Sequence, residues 1–138
     1  MPHEVSELPT LKRIRRLGRK AFEDAIAEIY RGEGYLVERA ARGSADRGYD
    51  LILLRESSVL VQCNHWLVEQ VGAAPVRKLA RAMQKVGATG GVIFTTGAFT
   101  KPAIELARSM AIELVDGEAL ARRFSDGQQH PTRKRAAA

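Results

Sequence analysis

The chain has 138 residues, 45% apolar and 28% charged, which fits one globular domain around a single core. Its 22 Lys and Arg against 16 Asp and Glu leave a net charge of +6, which suits a polyanionic partner without requiring one. No stretch approaches the roughly 18 apolar residues of a membrane-spanning helix, and no secretory signal pattern opens the chain. The single cysteine, Cys63, can form no internal disulfide, so a cytoplasmic protein without membrane contact is expected. One Cys with three His excludes a zinc cluster, and sparse aromatics argue against dedicated single-strand or loop RNA binding.

Residues 1–10, with Pro2 and Pro9, read as irregular. From Leu11 to Lys20, the basic residues Lys12, Arg13, Arg15, Arg16, Arg19 and Lys20 surround Leu11, Ile14 and Leu17. Residues 1–17 are therefore set apart as a basic N-terminal arm, either touching phosphates or forming the solvated start of a helix. The spacing of Phe22, Ala25, Ile26 and Ile29 predicts a helix from Gly18 or Arg19 to Arg31 with those residues inward. Asp24 and Glu28 face water, and Glu23 lies on the flank of the apolar stripe. Gly32 to Gly34 ends the helix, and Tyr35 to Arg39 follows as a strand. Ala41 to Gly48 is a polar loop whose Asp46 is a turn cap before it is a second site carboxylate.

Between Gly48 and Trp66, two short apolar runs, Leu51–Leu54 and Val59–Val61, flank a polar turn and read as buried strands. Alternation puts Leu60, Gln62 and Asn64 on one face, and Val59, Val61 and Cys63 on the other. Paired as a hairpin, the strands bring Asp50, Gln62 and Asn64 to the same end. Polar groups at the lip of an apolar sheet are costly without partners, which makes this a candidate site.

A loop through Gly72 and Pro75 leads to a helix, Val76 to Val86, with Val76, Leu79, Ala80, Met83 and Val86 as its core stripe. Arg77, Arg81 and Lys85 recur at four-residue steps with Lys78 adjacent. This basic ridge is either a track for a phosphate backbone or an ordinary solvated face. Val92 to Thr96 is a buried strand, and Thr100 caps a helix from Lys101 to Met110. Ile112 to Val115 is a last strand, and Asp116 caps a closing helix to about Phe124. Residues 125–138, with Arg133-Lys134-Arg135, read as a disordered basic tail.

Gly48-Tyr49-Asp50 followed by Gln62-Cys63-Asn64 resembles the Mrr-type restriction endonuclease family of the PD-(D/E)xK nuclease superfamily. There, Gly-x-Asp opens one strand and Gln-x-Lys closes the next. Phe22-Glu23 with Gly34-Tyr35, the run Gly90 to Thr100, Ala103, Ala107, and Asp116-Gly117 to Leu120 extend the resemblance over residues 18–120. It implies an α/β restriction-endonuclease-like domain at 18–124, a central mixed sheet of about five strands flanked by helices in the order α-β-β-β-α-β-α-β-α.

The resemblance further implies DNA phosphodiester hydrolysis with magnesium, or manganese in its place. Asp50 would be a metal ligand, with Glu23 joining directly or through water and the backbone carbonyl of Cys63 giving another oxygen. Gln62 would orient the metal or its water in place of the usual second acid. The family's lysine, which orients the attacking water and stabilises negative charge, is Asn64 here. An amide can hydrogen-bond a water but carries no charge. Three readings follow. The chain is a type IV (Mrr-like) endonuclease with an altered, weakened site; or a lysine such as Lys78 or Lys85 reaches in; or the fold is a catalytically inactive DNA-binding or protein-interaction module. His65 as a substitute proton carrier is opposed by its place on the other strand face. DNA is the expected partner, together with a homodimer for cutting both strands and a separate recognition domain or subunit.

Overall fold

The structure, a computed structural model, describes residues 11–40, 48–63 and 70–129, with side chains through 125. Residues 11–16 form a helical stretch (α1) that buries Ile14 among its basic neighbours, so this part of the N-terminal segment is anchored in the core. Helix α2 (Arg19–Gly32) follows, and the chain turns out of it at Gly34, whose φ of 99° is the left-handed conformation that glycine tolerates.

Three antiparallel strands come next: β1 (Leu36–Arg39), β2 (Leu51–Leu54) and β3 (Ser58–Cys63). A crossover through α3 (Ala73–Val86) adds β5 (Gly90–Phe94) parallel to β3, and one through α4 (Lys101–Ser109) adds β7 (Ile112–Val115) parallel to β5. The mixed five-stranded sheet has the order β1-β2-β3-β5-β7. Two short segments, β4 (Gln70–Val71) and β6 (Ala98–Phe99), pair in parallel beside it. Helix α5 (Gly117–Gln129) closes the fold.

Strand alternation sorts the core into two layers. Leu51, Leu53, Val61, Cys63, Val92 and Phe94 meet α2 and α5 on one face. Leu60, Ile93 and Ile112 meet α3 and α4 on the other. This is the expected α/β sheet flanked by helices, and Cys63 and Leu60 fall on opposite faces as the alternation requires. Thr100 and Asp116 cap their helices, accepting the N–H groups of Ala103 at 3.3 Å and Ala119 at 3.0 Å.

Several details differ from the sequence reading. Helix α3 begins at Ala73, before Val76, because Pro75 falls in the first turn, where its missing N–H costs nothing. Its buried residues are Val76, Leu79, Ala82 and Met83, while Ala80 is half-buried and Val86, in the last turn, is exposed. Helix α2 is rotated towards Glu23: Ala27 and Tyr30 are buried, and Ala25 and Ile29 only partly. Packing from two sides sets that rotation, with Phe22 stacked on Phe124 of α5 and Tyr30 edge-on to Phe94 of β5. β5 stops at Phe94, since Thr95 Oγ1 turns back to accept the N–H of Gly97 at 3.1 Å. Helix α5 runs past Phe124 to Gln129, and the rest of the C-terminal tail lies outside the described residues. Among the described residues no helix is long and apolar enough to cross a membrane.

Candidate active site at the carboxyl end of the parallel strands

β3, β5 and β7 run parallel, so their carboxyl ends, at Cys63, Phe94 and Val115, lie along one edge of the sheet. Crevices at such edges are where open α/β sheets hold ligands. β2 runs the other way and starts there, which places Asp50 beside the end of β3. The backbone N–H of Asp50 donates to the Val61 carbonyl at 2.7 Å, and the N–H of Cys63 donates to Asp50 Oδ2 at 2.6 Å. The first bond fixes the Asp50 backbone and the second its carboxylate, and the side chain is only 11% exposed.

Glu23 comes from α2 on the same edge. The rotation of that helix buries it to 8% exposure and brings its carboxyl within electrostatic reach of Asp50. Two basic residues offset this acidic pair. Arg39, at the end of β1, donates to Glu23 Oε1 at 2.6 Å, grips Asp24 with its other nitrogen, and reaches the Lys20 carbonyl at 3.4 Å. Arg19, at the start of α2, stands 3.8 Å from Asp50 Oδ1.

Burial raises the pKa of both carboxyls above the ordinary range, Asp50 adds to the rise at Glu23, and the arginines only partly oppose it. Neighbouring carboxylates titrate as a pair, so without a cation they give up their protons at higher pH than ordinary carboxyls do. Burial also pushes the Cys63 thiol well up, so it stays neutral and is no thiolate ligand. Gln62, between the two residues that bond Asp50, has a buried Oε1 with no hydrogen-bond partner among the described residues. A buried amide oxygen left unsatisfied costs about 1–3 kcal/mol.

The chemistry of the donors is uniform. Two carboxylates are hard ligands, suited to magnesium or manganese rather than zinc. Among the described residues no three His, Cys, Asp or Glu side chains form a metal cluster. Magnesium sites of one or two carboxylates completed by other oxygens and waters do not need one.

The Mrr_cat family, described as a restriction endonuclease, matches residues 14–124, most of the chain. The chain belongs to the Mrr_cat restriction endonuclease family. A curated relative, "Uncharacterized protein y4cE" of Sinorhizobium fredii, is 32% identical over 98 residues, 67% of this chain and 25% of its own length. Among solved structures, the DNA modification-dependent restriction endonuclease AspBHI superposes with a TM-score of 0.64 at 17% identity, covering 99% of this chain and 38% of that protein. The MspJI restriction endonuclease, solved in complex with a 27-mer oligonucleotide, superposes with a TM-score of 0.58 at 26% identity, covering 86% of this chain and 31% of that protein. The chain thus spans a quarter to two fifths of the length of these relatives.

Within this Mrr_cat domain the sequence-predicted residues divide. Asp50, Glu23 and Cys63 meet at one sheet edge, Gln62 precedes Cys63 there with its side chain on the α3 face like Leu60, and Asn64, Asp46 and His65 lie outside the described residues. Lys78 packs its stem close to Gly48, two residues before Asp50, and so belongs to the same end of the molecule. Arg77 and Arg81 are exposed along α3, and Lys85 sits near Gly87, where the helix turns into β5 at the far end of the sheet. That distance removes Lys85 as a lysine reaching into the site. Two residues were missed in their site role. Arg39 reads in sequence only as the polar end of a strand, and Arg19 as one of many basic residues. Neither carried a signal of its target.

Proposed function

We propose that this domain is a magnesium-dependent DNA endonuclease of the type IV, Mrr-like kind, active with manganese as well, that works with a site altered at Asn64. The observation that carries the reading is the buried Glu23–Asp50 pair, tied to the end of β3 by the Cys63 N–H and to β1 by Arg39. Asp50 and Glu23 would hold the metal, with the Gln62 amide and the Cys63 carbonyl completing or orienting its shell. When bound, the metal would supply Lewis-acid polarisation of the phosphate and an acidified water.

The chain's own residues do the rest. The Cys63 N–H and Arg39 keep the two carboxylates in place, so little reorganisation is needed on substrate binding. In hydrolysis the water oxygen bonds to phosphorus and one P–O ester bond breaks. The proton released by the water passes to solvent, and the departing oxygen is protonated by solvent. Arg77, Lys78 and Arg81 would contact the DNA backbone on the side of α3, with Lys85 extending that track away from the site. The oligonucleotide bound by MspJI supports a DNA partner. The greater length of the relatives supports a recognition domain or subunit in addition to this one, and two-strand cutting supports a homodimer.

The alternative, an inactive DNA-binding or interaction module, is favoured by one observation, the uncharged Asn64 in place of the family's lysine. Plasmid cleavage with magnesium or manganese decides between them. The native chain is expected to nick or linearise DNA and Asp50→Ala to do neither. DNA binding without cutting by the native chain would leave the module.

A further inference from the structure

Residues 11–20 carry six cations and no acid, a pattern open to two readings, a solvated face or a track for phosphates. Their place in the fold separates the two. Ile14 is 2% exposed within the core layer of α2 and α5, and Leu17 packs against that layer. Arg15 reaches across to β5, where its guanidinium donates to the Thr96 carbonyl at 3.0 Å, just past the carboxyl end of that strand. Phe94 in β5 lies opposite Cys63 in β3, whose N–H holds Asp50. Helix α1 is therefore pinned at the sheet edge that carries the carboxylate pair.

With Arg15 bonded to Thr96 and Arg19 turned to Asp50, four cations of the stretch remain: Lys12, Arg13, Arg16 and Lys20, all exposed. The acids next in sequence, Glu23 and Asp24, are both held by Arg39, and the first turn of α2 contains no acid. Among the described residues none of the four takes part in an ion pair. Surfaces that serve solubility alone intersperse both signs of charge. A one-sign cluster repels itself, and a polyanion relieves that repulsion. On the other face of the sheet, α3 presents the exposed Arg77 and Arg81. Cations thus stand on both sides of the edge that holds Asp50.

Resting on the nuclease reading for its partner, we propose that Lys12, Arg13, Arg16 and Lys20 form a phosphate-binding wall for duplex DNA. This wall faces the one on α3 across the site, so that a duplex lies along the sheet edge over Asp50. The four side chains contact backbone phosphates, carry no base specificity and take no part in the chemistry. A duplex presents phosphates to both walls at once, whereas a single strand needs stacking aromatics, which this chain has in small number.

The test is a fluorescence titration of a labelled linear duplex, and of one of its strands, over a range of salt without divalent metal, so that binding is read apart from cutting. The native chain is compared with Arg13→Gln/Arg16→Gln, Lys12→Gln/Lys20→Gln and the control Arg31→Gln/Arg108→Gln. The control removes the same charge from the last turns of α2 and α4. Each wall variant should lower the slope of log affinity against log salt by about 2, at about 0.9 per phosphate contact, and the control by less than about 0.5. Arg13→Lys/Arg16→Lys keeps the charge and should keep the slope. An unchanged slope in the wall variants, or an equal fall in the control, overturns the proposal. So does loss of slope in the lysine variant, which would make the arginines structural, and so does a native chain that prefers the single strand or binds neither. Cleavage of supercoiled plasmid with magnesium or manganese, run beside the titration, reads the nuclease activity separately. A wall that fails while the plasmid is cut leaves the nuclease reading standing, and a slope that falls as expected without cutting keeps the wall and removes the nuclease.

Discussion

A buried carboxylate pair stores an electrostatic cost that a bound cation would relieve. The pKa values of Glu23 and Asp50 are both raised above those of an unfolded chain, so the folded state holds protons that the unfolded state has lost. Their favourable contribution is full below the ordinary carboxylate range and is lost as pH rises through the raised values. Asp50→Asn should therefore raise stability near pH 7 by about 1 kcal/mol, a common gain when a strained functional group is neutralised. The gain should shrink in melting curves taken towards pH 4, while cleavage is abolished. For the same reason magnesium binding should release protons, and its affinity, followed by calorimetry in two buffers, should climb with pH over the raised range. Arg39→Ala removes the shortest contact to Glu23. We expect a loss of about 1–2 kcal/mol after allowing for solvent screening of the partly exposed arginine. Glu23 is pushed further up without it, so that loss should grow with pH.

At the scale of elements, the site depends on how closely the connections pack. Gly117 begins α5 where a Cβ would lie 2.3 Å from the Thr96 carbonyl oxygen, and its N–H donates to Gly97 at 2.8 Å. The obstacle is backbone, so Gly117→Ala must shift the turn at the carboxyl end of β5 and should lower both stability and cleavage. Gly91 in β5 would place its Cβ 2.8 Å from Leu79 Cδ2 and 3.0 Å from Met83 Sδ. Those side chains can give, so Gly91→Ala should cost about 1–3 kcal/mol in denaturant unfolding with cleavage largely kept. Helices and caps of this kind were legible in sequence, because Thr100 and Asp116 act on amides within the next turn. The pair β4 and β6 was not. Strands of two residues have no period to detect, and Gln70 meets Ala98 only through the tertiary fold.

For the whole molecule, the excess positive charge is the measurable feature. Arg77, Arg81 and Lys85 follow α3 along one face, and each phosphate contact adds about 0.9 to the slope of log affinity against log salt. If the ridge tracks DNA, the triple alanine variant should lower that slope by about 2–3 in a fluorescence titration and weaken binding uniformly across sequences. An unchanged slope would make the ridge a solvated face.

What the sequence alone determined is local and periodic. Alternation along Val59 to Cys63, with a polar turn before it, was enough to bring Asp50 and Gln62 to one end of a hairpin, because register and face follow from a period of two. The tertiary structure decided what surrounds that end. Whether Glu23 faces water or Asp50 depends on the rotation of α2, which is set by Phe124 and Phe94 pressing on it from other elements. Arg39 finds Glu23 across sixteen residues, and Arg19 finds Asp50 from another element. No local propensity encodes such meetings; only the packing of α2 on the sheet brings these charges together.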